Sequence, residues 1–163
     1  MPKGYISIGS NIDRDKNILA SLKALEHHFG KLTISSIYES EPVGFTGDAF
    51  YNLVVGFNSE LGVKEVAKLL RQIELDNGRT RDSQKFSART LDLDLILYDD
   101  LILNDGQLQL PRDDIERYAF VLEPLAEIAP ALTHPVSRLS YAELWEKFDK
   151  TNLKQKRVTL DWA

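Results

Sequence analysis

The sequence predicts an α+β fold: a ferredoxin-like βαββαβ core with a C-terminal hairpin and short helices. Two segments carry apolar residues at helical spacing, four are short and rich in β-branched or aromatic residues, and they alternate as strand, helix, strand, strand, helix, strand. The length of 163 residues, 43% of them hydrophobic, suits one compact domain that buries its core without staples. Residues 1–163 are therefore read as a single domain.

The elements follow in order. Tyr5-Ile6-Ser7-Ile8 predicts a first strand, ended by the turn-forming Gly9-Ser10-Asn11. Ile18, Leu22, Leu25 and Phe29 predict an amphipathic helix over 14–29, closed near Gly30. Leu32 to Ser40 reads as one strand, and a Pro- and Gly-containing loop leads from Glu41 to Asp48. Asn52 to Phe57 is the next strand. Val63, Val66, Ala67, Leu70 and Ile73 mark a second helix, stopped around Asn77-Gly78. Thr90 to Tyr98 alternates and reads as the fourth strand. Beyond it, Leu101–Leu103 and Leu108–Leu110 flank Asn104-Asp105-Gly106 as a hairpin. Phe120–Ile128 and Tyr141–Phe148 read as short helices, and Val158–Leu160 as a terminal strand.

Composition excludes several classes of function. With no cysteine there is no disulfide, thiolate nucleophile or thiolate zinc site. A net charge of −5 repels a nucleic-acid backbone. The opening Met1-Pro2-Lys3-Gly4-Tyr5 carries no signal-peptide h-region, and no apolar run is long enough to span a bilayer. A cytoplasmic protein without membrane or nucleic-acid partners is expected.

The most informative stretch is Arg89-Thr90-Leu91-Asp92-Leu93-Asp94-Leu95. On a strand, Asp92 and Asp94 share one face, roughly 6–7 Å apart, while Leu91, Leu93 and Leu95 face the other way. Two like charges so placed repel, and a hard cation such as Mg²⁺ between them resolves the conflict. The same spacing also suits a solvated sheet face, but aspartate is a poor strand former. Upstream, Arg79, Arg81, Lys85 and Arg89 put four cations into eleven residues of an acidic chain. Carboxylates for a metal beside cations for phosphates is the combination phosphoryl transfer needs. Neither a Walker-type loop nor a kinase-type Gly-rich loop is present, so another ATP-binding scaffold is required.

At these residues the chain resembles the 6-hydroxymethyl-7,8-dihydropterin pyrophosphokinases. The resemblance is carried by Arg89 to Asp94, Tyr5 to Asn11, Ser35 to Ser40 leading into Pro42-Val43-Gly44, Phe50-Tyr51-Asn52, and Ile73-Glu74-Leu75 through Gly78-Arg79-Thr80-Arg81. It runs from about Tyr5 to Pro130. It implies a ferredoxin-like fold, ATP as donor, two Mg²⁺, AMP as a product, and a monomer whose partners are ATP and 6-hydroxymethyl-7,8-dihydropterin. By position, Asp92 and Asp94 would hold the metals and Arg79 and Arg89 would grip the phosphates as catalytic groups. Glu74, Arg81, Lys85, Leu95 and Arg112 would bind ATP. Ser40, Val43, Phe50, Asn52, Phe86 and Phe120 would form the pterin site, with Phe50 and Phe120 stacking on the ring and Asn52 reading its polar edge.

The chain departs from the family pattern where Pro111-Arg112-Asp113 replaces a Pro-His-Tyr-like run and where Tyr118 stands in place of an arginine. Arg112 would then serve as the phosphate contact. The alternative these departures leave open is a divergent relative that binds pterin or nucleotide without transferring diphosphate. An RNA-binding ferredoxin-like domain is the third reading, opposed by two aspartates on the presumed binding face.

Overall fold

The computed structural model describes residues 2–40, 49–77, 91–106, 108–151 and 153–159. The first strand, β1 (Lys3–Ser10), is followed by α1 (Arg14–Phe29), β2 (Thr33–Ile34), β3 (Ile37–Ser40), β4 (Phe50–Asn58), α2 (Val63–Asp76) and β5 (Asp92–Tyr98). The C-terminal part adds β6 (Leu103–Asp105), β7 (Leu108–Leu110), α3 (Asp114–Arg117), α4 (Ala119–Ile128), α5 (Tyr141–Lys147) and β8 (Gln155–Val158).

The main sheet runs β5-β1-β4-β3-β8, with β2 also on β4, and every pairing is antiparallel. With β2 and β3 taken as one interrupted strand, this is the expected split βαβ order with β8 added at the β3 edge. The interruption has a visible cause. The Glu127 carboxylate on α4 accepts the Ser36 N–H at 3.0–3.1 Å and the Ser36 hydroxyl at 2.8 Å, drawing Ser36 out of the ladder. The same carboxylate accepts the Tyr38 hydroxyl at 2.7 Å. Burial pushes the Tyr38 phenol above its ordinary pKa, and the bond to Glu127 pushes it further.

One face of the sheet is covered by α1 and α2. Ile6, Ile8, Leu53, Val55, Leu93 and Leu95 meet Ile18, Leu25, Val66, Leu70 and Ile73 there in a buried core. The other face is covered over only part of its length. Tyr5, Val54, Ile96 and Leu97 pack there beneath Ile115, Val121, Leu122 and Leu125 of α3 and α4 and Tyr141 of α5. A bulge makes this possible: Ile6 pairs with Leu95 but Tyr5 with Leu97, so Ile96 is an extra residue on β5. The extra residue breaks the alternation and lets both Ile96 and Leu97 serve the second core. The adjoining end of that face is left to polar groups, and the candidate site lies there.

Two sequence expectations need adjustment. Gly9 and Ser10 belong to β1, which continues past the point where turn chemistry would end it. The terminal strand is Gln155–Val158, earlier than the apolar residues suggested, because its partner is the exposed edge of β3.

Candidate active site

Asp92 and Asp94 open β5 with alternating burial, each partly exposed, while Leu91, Leu93 and Leu95 are buried beneath the helices. Across the sheet, Asp92 pairs with Gly9, and Gly9 pairs with Asn52, which in turn pairs with Tyr38. Asp92 and Asn52 are thus two strand spacings apart, about 10 Å, with a glycine between them. Gly9 has no freedom to be larger: a Cβ there would sit 2.9 Å from Asn52 Oδ1 and 3.7 Å from Phe50 Cδ1. The missing side chain makes room for the Asn52 amide oxygen, which packs against Gly9. Asn52 is buried and donates from Nδ2 to Ser40 Oγ at 2.8 Å. Ser40 pairs with Phe50 in the adjoining row, so Ser40, Phe50 and Asn52 gather at one corner of the sheet.

Phe120 lies in the first turn of α4, stacked on Tyr118 with ring centroids 5.0 Å apart and planes 17° from parallel. The tyrosine that replaces a basic residue thereby backs an aromatic wall. Neighbouring Arg117 pairs with Asp113 at 3.5 Å in an exposed contact, its guanidinium 5.4 Å from the Tyr118 ring centroid. Asp113 is thus partly neutralised within its own turn.

On the β5 edge, a cleft of about 320 Å³ is lined by Leu70, Leu93, Leu95 and Leu108, with Asp94 and Arg112 also on its wall. Lys68 and Arg71 add positive charge, and Lys64 is paired with Asp105 at 2.9 Å. Arg112 is held by its backbone N–H to the Ile96 carbonyl at 3.1 Å and by Asp114 at 3.4 Å. Burial works against its charge, but Asp94, Asp114 and Asp92 outweigh that and raise its pKa above the usual guanidinium value. Its Nε is buried and meets no hydrogen-bond acceptor among the described residues. A buried donor without an acceptor is costly, and an anionic ligand relieves it.

Glu74 is completely buried near the end of α2. Its Oε2 accepts the Leu93 backbone N–H at 2.7 Å, and its Oε1 pairs with Arg71 at 3.2 Å. The residue between the two aspartates is thus pinned to α2. At the other corner, Arg14 donates to Glu39 at 2.9 Å and to the Ala49 carbonyl at 3.0 Å, and its guanidinium lies 3.8 Å from the Tyr51 ring centroid. It ties together the β3 and β4 ends that bear Ser40 and Phe50. The roles of Gly9 and Arg14 were not legible in the sequence, because their partners Asn52, Glu39 and Ala49 are far away in the chain. Of the predicted site residues, Val43, Arg79, Arg81, Lys85, Phe86 and Arg89 lie outside the described residues.

Residues with metal-ligating side chains do not gather in threes among the described residues. Two aspartates that leave most coordination positions to phosphate oxygens and water fit Mg²⁺, which rarely takes an all-protein cage. A zinc-type site is not offered by this donor set.

Residues 5–130 match the family model described as 7,8-dihydro-6-hydroxymethylpterin-pyrophosphokinase (HPPK). The chain belongs to this family. Curated relatives agree: the 2-amino-4-hydroxy-6-hydroxymethyldihydropteridine pyrophosphokinase of Bacillus subtilis is 39% identical over 128 residues, 76% of each chain. The protein of that name from Haemophilus influenzae is 35% identical over 152 residues, covering 91% of this chain and 94% of the relative. The Folic acid synthesis protein FOL1 of Dictyostelium discoideum is 35% identical over 138 residues, but the chain spans only 21% of its length. Among solved structures, wild-type Plasmodium falciparum HPPK-DHPS aligns with a TM-score of 0.69 at 13% identity, over 90% of this chain and 44% of that one. A triple mutant of the same protein gives 0.76 at 14% identity, over 98% and 48%. At such identities the structures establish the HPPK fold, a ferredoxin-like α+β architecture, and no more. No described helix is long and apolar enough to cross a membrane.

Proposed function

We propose that this chain transfers diphosphate from Mg·ATP to the hydroxyl of 6-hydroxymethyl-7,8-dihydropterin, releasing AMP, as a pyrophosphokinase of folate biosynthesis. The single observation that carries the reading is the row Asp92–Gly9–Asn52: a carboxylate and a polar amide on one sheet face, separated by a glycine. It adjoins the cationic cleft on one side and the Ser40–Phe50 corner on the other.

In the reaction the pterin hydroxyl oxygen attacks the β-phosphorus of ATP. The bond from that phosphorus to the oxygen bridging the α-phosphate breaks, and AMP leaves with the electron pair. The hydroxyl proton passes to solvent. Asp92 and Asp94 would hold two Mg²⁺ against the phosphate oxygens, and those ions would supply charge neutralisation and lower the pKa of the hydroxyl. Asn52 and Ser40 orient the pterin edge, while Phe50 and Phe120 take its faces. Leu70, Leu95 and Leu108 give the nucleoside an apolar slot, and Arg112 turns its unpaired donor to the phosphates. Glu74 works from beneath, holding the Asp92–Asp94 strand through Leu93. Arg79, Arg81, Lys85 and Arg89 would provide further positive charge and Val43 and Phe86 would complete the pterin contacts; all six fall within the matched residues 5–130.

A monomer is proposed as the working unit. The two cores share β1, β4 and β5, which supports a single domain over 1–163. ATP as donor supports a cytoplasmic setting. The test is AMP production from Mg·ATP with and without the pterin. Pterin-dependent AMP is expected. Binding of either substrate without AMP would favour the divergent, non-transferring relative.

A further inference from the structure

The family match ends at residue 130, yet the chain returns to the candidate site after it. β8 lies along β3 with Gln155 opposite Ser40, so their side chains share the face that carries Asn52. Gln155 is half-buried. Its Nε2 donates to Glu123 Oε1 at 2.7 Å and to the Ala119 carbonyl at 3.1 Å. Ala119 opens α4 in the turn that carries Phe120, and Glu123 follows one turn on. From Asn52 to Ser40 and then from Gln155 to Ala119, the floor of the site and its aromatic wall are linked through a strand outside the matched region.

From this geometry we infer that Gln155 is a positioning residue for the pterin subsite, setting the first turn of α4, and with it Phe120, against Ser40 and Asn52. The inference rests on the pterin reading above. Both of its amide hydrogens are committed to the start of α4. The alternative role, general support of the fold, is already served nearby by Glu127, which ties α4 to Ser36 and Tyr38. Gln155 acts at the opposite end of α4, where the helix meets the site.

The test uses Gln155→Leu, which keeps the size and removes the donors. Backbone hydrogen exchange over residues 119–123 is measured first, without ligand, and is expected to accelerate about tenfold while exchange in α1 and α2 stays unchanged. Steady-state kinetics follow. KM for the pterin is expected to rise roughly five- to tenfold, with kcat and KM for ATP within twofold of the parent. Unchanged exchange over 119–123 overturns the tether whatever the ligand proves to be. Faster exchange with an unchanged pterin KM, or an equal rise in both KM values, overturns the positioning role. A parent protein that makes no AMP and binds no pterin contradicts the functional reading instead, and the exchange result still judges the tether.

Discussion

Gly9→Ala is the smallest change that tests the geometry of the site. The added methyl would meet Asn52 Oδ1 at 2.9 Å, short of ordinary contact by about half an ångström, with Phe50 Cδ1 behind it at 3.7 Å. Asn52 cannot retreat freely, because it is buried and its Nδ2 is committed to Ser40 at 2.8 Å. Turning the amide away loses a hydrogen bond worth about 1 kcal/mol net, or about 1–3 kcal/mol if a buried polar group is left unpaired. Leaving it in place instead costs overpacking strain of about 1–3 kcal/mol. Either route displaces the group proposed to read the pterin edge. A loss of about 1–3 kcal/mol corresponds to roughly 5- to 150-fold weaker pterin binding. The Leu70–Leu95–Leu108 cleft is untouched, so Mg·ATP affinity should stay within about twofold, as titration calorimetry with each ligand separately would show. Pterin affinity equal to the parent's would refute the claim that Asn52 reads the pterin, and an equal loss for both ligands would point to general unfolding.

The remaining predictions address other parts of the site. Asp94→Asn should abolish the Mg²⁺ dependence of nucleotide binding; an unaltered Mg²⁺ titration would remove the metal from this strand. Glu74→Ala should lower unfolding free energy by about 1–3 kcal/mol, because the Leu93 N–H loses a buried acceptor, and should reduce turnover as well. A urea midpoint matching the parent's would mean the strand is held by something else. Phe120→Ala should raise the pterin KM far more than the ATP KM, and equal rises would take Phe120 out of the pterin subsite. His134 is buried, with Nδ1 accepting the Val136 and Ser137 N–H groups and Nε2 beside Glu116 at 3.2 Å. Burial depresses its pKa despite the pull of Glu116, so the unfolded chain binds the extra proton first. Its contribution to stability is therefore full above the unfolded value of about 6.5 and is lost as pH falls from there through the depressed folded value. The melting temperature should drop over that window in the parent and be flatter in His134→Asn; parallel curves would exclude this residue.

Much of this was legible in the sequence because local pattern and tertiary role coincide. The period of Ile18, Leu22 and Leu25 forecasts the face α1 buries, and the Leu91–Leu95 alternation forecasts which side of β5 carries carboxylates. What stayed hidden depends on contacts distant in sequence. Ser36 reads as mid-strand until Glu127, ninety-one positions later, is seen to claim its N–H. Gly9 reads as a turn because its real constraint, the Asn52 amide, comes from another strand. The pairing of His134 with Glu116 is likewise hidden, since it arises only from the packing of α3 against the loop that bears His134. Glu74 was expected as an ATP contact, and its bond to the Leu93 backbone could not be read without the register of α2 on β5.

The most direct measurement of the central claim is AMP released from Mg·ATP by the purified chain, with 6-hydroxymethyl-7,8-dihydropterin present or absent. AMP formed in step with a diphosphorylated pterin, and only when both Mg²⁺ and the pterin are supplied, is the predicted result. A folded protein that binds both substrates and forms no AMP would contradict it.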